Sequence, residues 1–259
     1  LYGVDLDEQA VEIARLNLLV SALDGKYKLP LLDKNIKNGN SLISGTDEEL
    51  KKYFGANFRD KKPFNWEEEF PDVFKQGGFD VIIGNPPWVT VNHKEIGVDT
   101  VKYYKDRYKG AEGFKLNLFP IFVEIALRLT KDGGIFSFII PNRLLDTPSY
   151  AGIRKEIIGK YIVLDIENLP EGSFDQVVAG NIILTIKKSK NDKDNLVIKN
   201  FHSGEILSLP IASILGNPNL TVNVNAEIKS SPITDKIDNK RTLKLKDLCN
   251  VHVGMMVKN

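Results

Sequence analysis

Asn85-Pro86-Pro87-Trp88 is the pattern with the clearest capacity for chemistry in this 259-residue sequence. It follows the apolar run Phe79–Gly84, which predicts a strand buried on both faces. Two consecutive prolines fix the backbone and favour an extended conformation at the preceding residue. The Asn85 amide and the Pro86 carbonyl should therefore face outward at the carboxyl end of a strand, where α/β sheets bind ligands. They could accept both hydrogens of a planar amino group while Trp88 stacks on its ring. A structural proline turn is the alternative interpretation.

The motif resembles the catalytic signature of amino-group methyltransferases that use S-adenosylmethionine. Its context, Phe64-Asn65-Trp66-Glu67 through Phe70-Pro71 and then Gly77-Gly78-Phe79-Asp80, is similar to that of type IIG restriction–modification N6-adenine DNA methyltransferases. The resemblance extends from Leu1 to about Lys188. It implies S-adenosylmethionine as cofactor and double-stranded DNA as partner. It also implies that the catalytic residues are Asn85, Pro86, Pro87 and Trp88.

Two further segments resemble the cofactor-binding motifs of this family. Asp5, at the end of the first predicted strand, would accept the ribose hydroxyls, and Leu6 would pack on the cofactor adenine. Asn40 and Ser41 follow the next predicted strand, and the family usually has an acid at the position of Asn40. An asparagine oxygen can still accept one hydrogen bond, without assistance from a charge. The alternatives are a helix N-cap for the first segment, a role that suits Asp7, and a plain polar turn for the second.

Phe174 is the remaining candidate for base contact. It lies in the glycine-containing loop 170–175, where an exposed aromatic side chain is unusual. In the family, an aromatic residue of this loop packs on the flipped base opposite the motif aromatic, so the predicted DNA and base contacts are Trp88 and Phe174. The alternative is that Phe174 fills the interior of its own loop.

The predicted elements that carry these residues alternate between strands and helices, which indicates an α/β fold with a mostly parallel sheet. The resemblance makes this a Rossmann-like methyltransferase sheet with one antiparallel strand. Strands are expected at 1–5, 36–40, 79–84, 135–140, 162–166, 181–188 and 196–201, and helices at 8–22, 46–54, 116–129 and 150–161, with 132–134 stopping the third helix. Residues 1–202 are expected to form part of a methyltransferase catalytic domain, 203–240 a linker without regular structure, and 241–259 the start of a target-recognition domain.

Composition excludes several other classes of protein. The formal net charge is +1, unlike that of a strongly cationic nucleic-acid coat protein. The single cysteine, Cys249, allows no internal disulfide and, with three scattered histidines, no structural zinc site. No metal site is expected, and no proline-cysteine motif is present for cytosine-C5 methylation. The single cysteine suits a reducing compartment, so we expect a protein of the cytoplasm. Apolar runs of about six residues fall short of the roughly 20 that a membrane span needs, so no membrane partner is expected.

The glycine-rich cofactor loop of the family is not found after any predicted strand. In the family it follows the first strand, which would lie upstream of Leu1 and is central in the sheet order 3-2-1-4-5-7-6. We therefore expect a fragment, in which either a preceding segment completes the sheet or the strands at Leu1–Asp5 and Phe79–Gly84 pair directly. Type IIG proteins carry a nuclease domain upstream, so a fused nuclease is a further expected partner.

Adenine-N6 DNA methylation within a restriction–modification system is the function that these residues favour. Cytosine-N4 methylation uses the same geometry, usually with Ser or Asp in place of Asn85. Glutamine methylation of a release factor also uses Asn-Pro-Pro-aromatic, generally with Tyr. A catalytically incomplete fragment that only binds DNA or serves a structural role is the alternative from a different class. Product analysis separates the first two.

The first prediction concerns residues 1–259 on their own. This stretch should bind S-adenosylmethionine weakly or not at all, because it lacks the glycine-rich cofactor loop. The strands beside the missing one would also have unpaired buried backbone groups, which cost about 1–3 kcal/mol each. Isothermal titration calorimetry provides the measurement. Micromolar binding by this stretch alone would contradict the prediction.

Overall fold

A computed structural model describes residues 1–22, 32–111, 116–169, 180–200, 204–217 and 219–222. The chain divides into two compact units, Leu1–Val222 and Asn223–Asn259, and every described residue belongs to the first. Phe174 and the region 241–259 lie outside the described residues, so their predicted roles stay predictions. None of the helices in the described ranges has the length and apolar character that a membrane span requires.

Strands and helices alternate along most of the described chain. The strands are β1 (Gly3–Asp5), β2 (Ile36–Asn38), β3 (Phe79–Gly84), β4 (Thr90–Val91), β5 (Leu116–Asn117), β6 (Thr130–Pro141), β7 (Tyr161–Asn168), β8 (Asn181–Lys190), β9 (Asn195–Asn200) and β10 (Ile206–Pro210). The helices are α1 (Glu8–Ala22), α2 (Asp47–Phe54), α3 (Trp66–Glu69), α4 (Pro71–Phe74), α5 (His93–Ile96), α6 (Val98–Arg107), α7 (Leu118–Leu129), α8 (Ala151–Lys160) and α9 (Ile211–Gly216).

The largest sheet among the described residues has the strand order β10-β9-β7-β8-β6-β3. β3 pairs with β6 in parallel, and β7 pairs with β9 in parallel. β8 runs antiparallel between β6 and β7, and the edge strand β10 runs antiparallel to β9. The expected α/β fold, with a mostly parallel central sheet and an internal antiparallel strand, is confirmed.

β1 and β2 form a separate parallel pair, in which Val4 lies opposite Lys37. If β1 and β2 are counted as the second and third strands of the family order, β3, β6, β8 and β7 follow in the order 4-5-7-6. No described strand lies between β1 and β3. Direct pairing of β1 with β3 was one of the two expected outcomes, and it is not found among the described residues.

The prediction that Phe79–Gly84 is buried on both faces is wrong. Its bounds match β3, but the residues Val81 and Ile83 are 61% and 78% exposed. Among the described residues β3 is the edge strand of its sheet, with β6 as its neighbour on one side only. A continuous apolar run indicates the strand correctly, but the sequence of the run does not show which neighbours cover it.

Capping side chains set the helix starts near the site as expected. The Asp7 carboxylate accepts the Gln9 N–H at 2.9 Å, and α2 begins with a capping box between Thr46 and Glu49. The predicted helix over 116–129 begins at Leu118, because the two residues before it pair with β4. It ends at Leu129, and residues 132–134, expected to stop it, lie within β6.

The expectation of an irregular segment from residue 203 onward is also wrong for part of its length. Ile206–Pro210 forms β10, which pairs along its whole length with β9, and Ile211–Gly216 forms α9. Both therefore belong to the same unit as the main sheet. The alternation Ile206-Leu207-Ser208-Leu209 is weak and short, which explains why no strand was predicted there. The domain boundaries themselves stay a prediction.

Arg154 of α8 connects the residues that follow α9 to the rest of the domain. It is buried, with 1% of its surface exposed, and it takes part in none of the ion pairs among the described residues. Its guanidinium instead donates to four backbone carbonyls, those of Leu144, Thr147, Asn219 and Leu220, at 2.6–2.8 Å. One side chain therefore joins the loop after β6 to the residues that follow α9.

The second prediction follows from this buried guanidinium. Arg154→Leu should lower the free energy of unfolding by about 3 kcal/mol, because four backbone carbonyls lose their donor, and two of these hydrogen bonds are buried. Urea denaturation followed by circular dichroism measures the change. The matched control is Arg59→Leu, because the Arg59 side chain is 79% exposed in a surface ion pair with Asp47, and such pairs contribute about 0–1 kcal/mol. Equal losses for the two variants would contradict the assigned role of Arg154.

Candidate active site

The carboxyl end of β1 presents Asp5 to solvent. One oxygen of its carboxylate, Oδ1, accepts the Asp7 N–H at 2.8 Å, which closes a tight turn before α1. The Asp5 and Leu6 carbonyls each accept a hydrogen bond from the Asn38 side-chain amide at 3.0 Å. Lys62 Nζ also approaches the Leu6 carbonyl, at 3.3 Å. The backbone of the predicted ribose-binding segment is therefore held by β2 and by the loop that contains Lys62.

The chain after β2 turns sharply beside an aromatic ring. A Cβ at Gly39 would lie 2.5 Å from a ring carbon of Phe64, so only glycine fits here without movement of that ring. The Asn40 N–H then donates to the Lys62 carbonyl at 2.6 Å. Asn40 Oδ1, the atom expected to accept from the cofactor amine, accepts the Leu42 N–H at 3.1 Å. A carbonyl-type oxygen has a second lone pair, so one acceptor position remains.

Helix α6 holds the loop that follows Asn40 from the other side. The Tyr108 hydroxyl donates to the Leu42 carbonyl and the Tyr103 hydroxyl donates to the Ser44 carbonyl, each at 2.6 Å. The Ser44 N–H donates back to the Tyr103 hydroxyl at 2.9 Å. Buried backbone groups outside regular structure need such partners, and here side chains about 60 positions away in the sequence supply them.

Tyr104, on the same helix, faces Asn40 itself. Burial raises the pKa of the Tyr104 phenol to about 12, although its side-chain hydrogen bond with Asn40 acts in the opposite direction. The hydroxyl therefore keeps its proton at neutral pH. The indole N–H of Trp66 donates to the Ser41 carbonyl at 3.2 Å, so Ser41 is also fixed through its backbone.

The carboxyl end of β3 carries the proline motif. A Cβ at Gly84 would lie 3.0 Å from the ring of Phe138 on β6, so the strand passes close to that ring. Asn85 is exposed and Pro86 is buried. No described residue forms a hydrogen bond with the Asn85 side chain, which leaves its amide available to a ligand. The Asn85 amide thus stands at the end of a fixed strand, as the sequence predicts.

Trp88 is held against the sheet rather than free in solvent. It is half-buried, and its indole N–H donates to the Ile139 carbonyl of β6 at 3.2 Å. It does not line the cavity described next, although Pro87 does. The prediction that its ring stacks on a target base stays a prediction.

One cavity of about 1260 Å³ brings the remaining predicted residues together. It extends along the whole of β1 and β3 and past their carboxyl ends. Its walls include every predicted cofactor and motif residue except Trp88 among those that the structure describes: Asp5, Leu6, Asn40, Ser41, Asn85, Pro86 and Pro87. Ligand pockets usually measure about 300–1,000 Å³, so this space is large enough for a nucleoside cofactor.

The cavity also has walls that the sequence analysis did not identify. Thr100 and Tyr104 of α6 contribute a polar strip, and Leu118 and Phe122 of α7 contribute an apolar one. The tyrosines at 103, 104 and 108 have the spacing of a buried helix face, which is ordinary core patterning and gave no signal of a site. Among the described residues, no group of three or more His, Cys, Asp or Glu side chains could hold a metal ion.

Comparison with known proteins shows the family of this chain. A family profile described as Eco57I restriction-modification methylase matches residues 1–174. The "Type II restriction enzyme and methyltransferase RM.Eco57I" of Escherichia coli is 30% identical over 166 residues, which are 60% of this chain and 15% of that protein. The "Adenine-specific methyltransferase PglX" of Streptomyces coelicolor is 29% identical over 160 residues, 53% of this chain and 12% of that protein.

A solved structure shares the fold despite low identity. It is a nuclease-deletion mutant of the Type ISP restriction-modification enzyme LlaGI in complex with a DNA substrate mimic, with a TM-score of 0.57 and 11% identity. The match covers 89% of this chain and 25% of that chain. In both curated relatives the matched region is less than one sixth of the length. Because the family profile matches residues 1–174 of 259, the chain belongs to the Eco57I restriction-modification methylase family.

Proposed function

We propose that the complete natural protein is a site-specific DNA methyltransferase that transfers a methyl group from S-adenosylmethionine to the N6 amine of adenine. The observation that carries this proposal is the shared cavity, in which the unpartnered Asn85 amide and the Asp5 and Asn40 side chains stand at neighbouring strand ends. A methyl donor and an amine acceptor must meet in one space, and these residues line the same cavity. The name of PglX, an adenine-specific relative, favours adenine over cytosine.

Asn85 and Pro86 would orient the amine. The Asn85 side-chain oxygen and the Pro86 carbonyl accept its two hydrogens, which localises the nitrogen lone pair and directs it into the cavity. Neither group needs to change its protonation state, so catalysis depends on position and electrostatics. The fixed end of β3 suits this role, because a misplaced acceptor would lose much of its effect.

S-adenosylmethionine, when bound, supplies a sulfonium methyl group for direct in-line displacement. Asp5 would accept the ribose hydroxyls through the carboxylate oxygen that the turn leaves available. Leu6 supplies apolar contact beside it, and Asn40 and Ser41 form the next section of wall. These residue types fit a nucleoside: one charged acceptor, one apolar side chain and neutral polar groups.

Duplex DNA would be the partner, and the target base would leave the stack. An adenine amine inside a duplex cannot reach a cavity, and extrusion costs a few kcal/mol. Trp88 would return about 1–3 kcal/mol by stacking on the extruded base, with Phe174 on the opposite face. The restriction enzymes among the relatives and the DNA-bound LlaGI structure support DNA as the partner class. A fused nuclease and a target-recognition domain belong to the same proposal.

The third prediction tests the role of Asn85. In the complete natural protein, Asn85→Ala should lower the methylation rate roughly 10²–10³-fold, the effect of losing one oriented hydrogen-bonding group. Affinity for S-adenosylmethionine should change much less, because Asn85 acts on the amine. Transfer of a labelled methyl group to DNA, followed by nucleoside analysis, gives both the rate and the product.

The matched control is Asn57→Ala, an exposed asparagine that does not line the cavity, and it should retain the wild-type rate. Wild-type turnover by Asn85→Ala would refute the catalytic assignment. N4-methylcytosine as the product would retain the mechanism and refute the adenine target.

The fourth prediction separates two roles for Trp88. Trp88→Ala should weaken binding to DNA that carries an extrahelical target base by about 1–3 kcal/mol, and leave non-specific binding nearly unchanged, since phosphate contacts set the latter. Trp88→Phe, which keeps a ring but loses the hydrogen bond to Ile139, should retain most of the preference. Fluorescence anisotropy with the two DNAs provides the comparison. Equal loss for both DNAs would mean that Trp88 only stabilises the fold.

A further inference from the structure

Lys62 lies beside the ends of β1 and β2, and its backbone has an unusual conformation. It follows the 3-10 helix Gly55–Lys61, with φ of +49° and ψ of +52°. This left-handed region is uncommon for residues other than glycine. Among the described residues, Leu220 is the only other non-glycine residue with a positive φ. Such conformations persist where surrounding contacts hold them, and they are frequent at functional sites, so the contacts of Lys62 need an explanation.

The side chain of Lys62 bridges the ends of the two strands. Its Nζ donates to the Leu6 carbonyl, just after β1, at 3.3 Å and to Asn38 Oδ1, at the end of β2, at 3.1 Å. Lys62 takes part in none of the ion pairs among the described residues. The ammonium group therefore serves a backbone oxygen and an amide oxygen rather than a carboxylate.

The contact with Asn38 selects one of the two orientations of its side-chain amide. In the observed orientation, Nδ2 donates to the Asp5 and Leu6 carbonyls, each at 3.0 Å, while Oδ1 faces the ammonium group. After half a rotation, the amide would direct its N–H groups at a cation and its oxygen at two carbonyls, and all of these contacts would be repulsive. The cation therefore keeps the donors of Asn38 directed at the backbone of Asp5 and Leu6.

The peptide group between Leu6 and Asp7 transmits this restraint to the Asp5 carboxylate. Its carbonyl accepts hydrogen bonds from Lys62 and Asn38, and its N–H donates to Asp5 Oδ1 at 2.8 Å. Because a trans peptide group is planar, its C=O and N–H point in opposite directions. Donors that hold the carbonyl on one side thus direct the N–H at the carboxylate on the other side.

The backbone of Lys62 also holds the second predicted cofactor segment. Its carbonyl accepts the Asn40 N–H at 2.6 Å, and the next residue, Pro63, forms a parallel bridge with Asn40. Lys62 does not line the cavity, whereas Asp5, Leu6 and Asn40 do. Lys62 can therefore influence a bound ligand only through these residues.

We propose that Lys62 is a positioning residue, whose ammonium group orients the Asp5 carboxylate toward the cofactor ribose through Asn38 and the Leu6–Asp7 peptide group. This assignment rests on the proposed function, in which Asp5 accepts the ribose hydroxyls. It goes beyond that function because Lys62 lies outside every segment that resembles a cofactor motif. Part of the specificity for a ribonucleoside is thereby assigned to a residue that does not touch the ligand.

The test compares S-adenosylhomocysteine with its 2′-deoxy analogue by calorimetric titration of the complete natural protein. The ratio of the two affinities reports how well the Asp5 carboxylate meets the 2′-hydroxyl. Lys62→Met keeps most of the side-chain length and removes the cation, so this ratio should fall by roughly threefold or more, the effect of one weakened charge-assisted hydrogen bond. Lys62→Arg retains a cationic donor and should keep the ratio within about twofold of wild type.

A glycine variant separates the cation from the backbone conformation. Lys62→Gly removes the same ammonium group but adopts the left-handed conformation without cost, so it should lower the ratio as Lys62→Met does. A wild-type ratio in Lys62→Gly would mean that the ammonium group has no part in orienting Asp5, and this result would overturn the assignment.

Lys52→Met is the matched control, because Lys52 of α2 is exposed and does not line the cavity. It should bind both ligands with wild-type affinity. Equal weakening of both ligands by Lys62→Met would indicate a merely structural residue and overturn the positioning role. Absence of any binding by the wild-type protein would instead refute the proposed cofactor, so the two failures are distinguishable.

Discussion

Parallel hydrogen bonding between β3 and β6 is the interaction on which the candidate site depends. The ladder ends with Gly84 opposite Phe138, and the two prolines that follow Asn85 cannot extend it because they have no N–H group. The motif therefore leaves the sheet at one fixed point. The hydrogen bond from Trp88 to the Ile139 carbonyl then holds the far end of the turn to the same strand. Asn85 lies between two anchors on β6, which is why an exposed side chain can still be well placed.

The opposite wall of the cavity depends on a different kind of support. In the loop after β2, the Leu42 carbonyl accepts the hydroxyl of Tyr108, the residue that follows α6, and the Ser44 carbonyl accepts the hydroxyl of Tyr103 on α6. These contacts join parts of the chain that are about 60 residues apart. They make the shape of the predicted cofactor segment a property of the tertiary structure, so a substitution on α6 can alter the cavity without altering any motif that lines it.

Two kinds of feature could be predicted from the sequence because they are local. One is the strand at Phe79–Gly84, which is an apolar run. The other is the polar residue that follows such a strand, as at Asp5, Asn40 and Asn85. It did not predict the exposure of β3, since burial depends on neighbouring strands. It did not predict Thr100 or Tyr104, because a helix face with tyrosines has the same pattern whether it packs on a core or on a cavity. β10 was not predicted for a third reason: an edge strand can be short and weakly apolar when backbone hydrogen bonds to its neighbour, here β9, stabilise it.

The edge of β3 that has no partner strand among the described residues also forms a wall of the cavity. An edge strand offers unpaired N–H and C=O groups to any extended segment that approaches, and natural proteins usually blunt such edges with charge, proline or a cover. Here the exposed side chains at Val81 and Ile83 are both aliphatic and β-branched. Both residues also line the cavity, so an extended segment that paired with this edge of β3 would enter the space assigned to the cofactor. Ile83→Lys would place a charged side chain beside the same space.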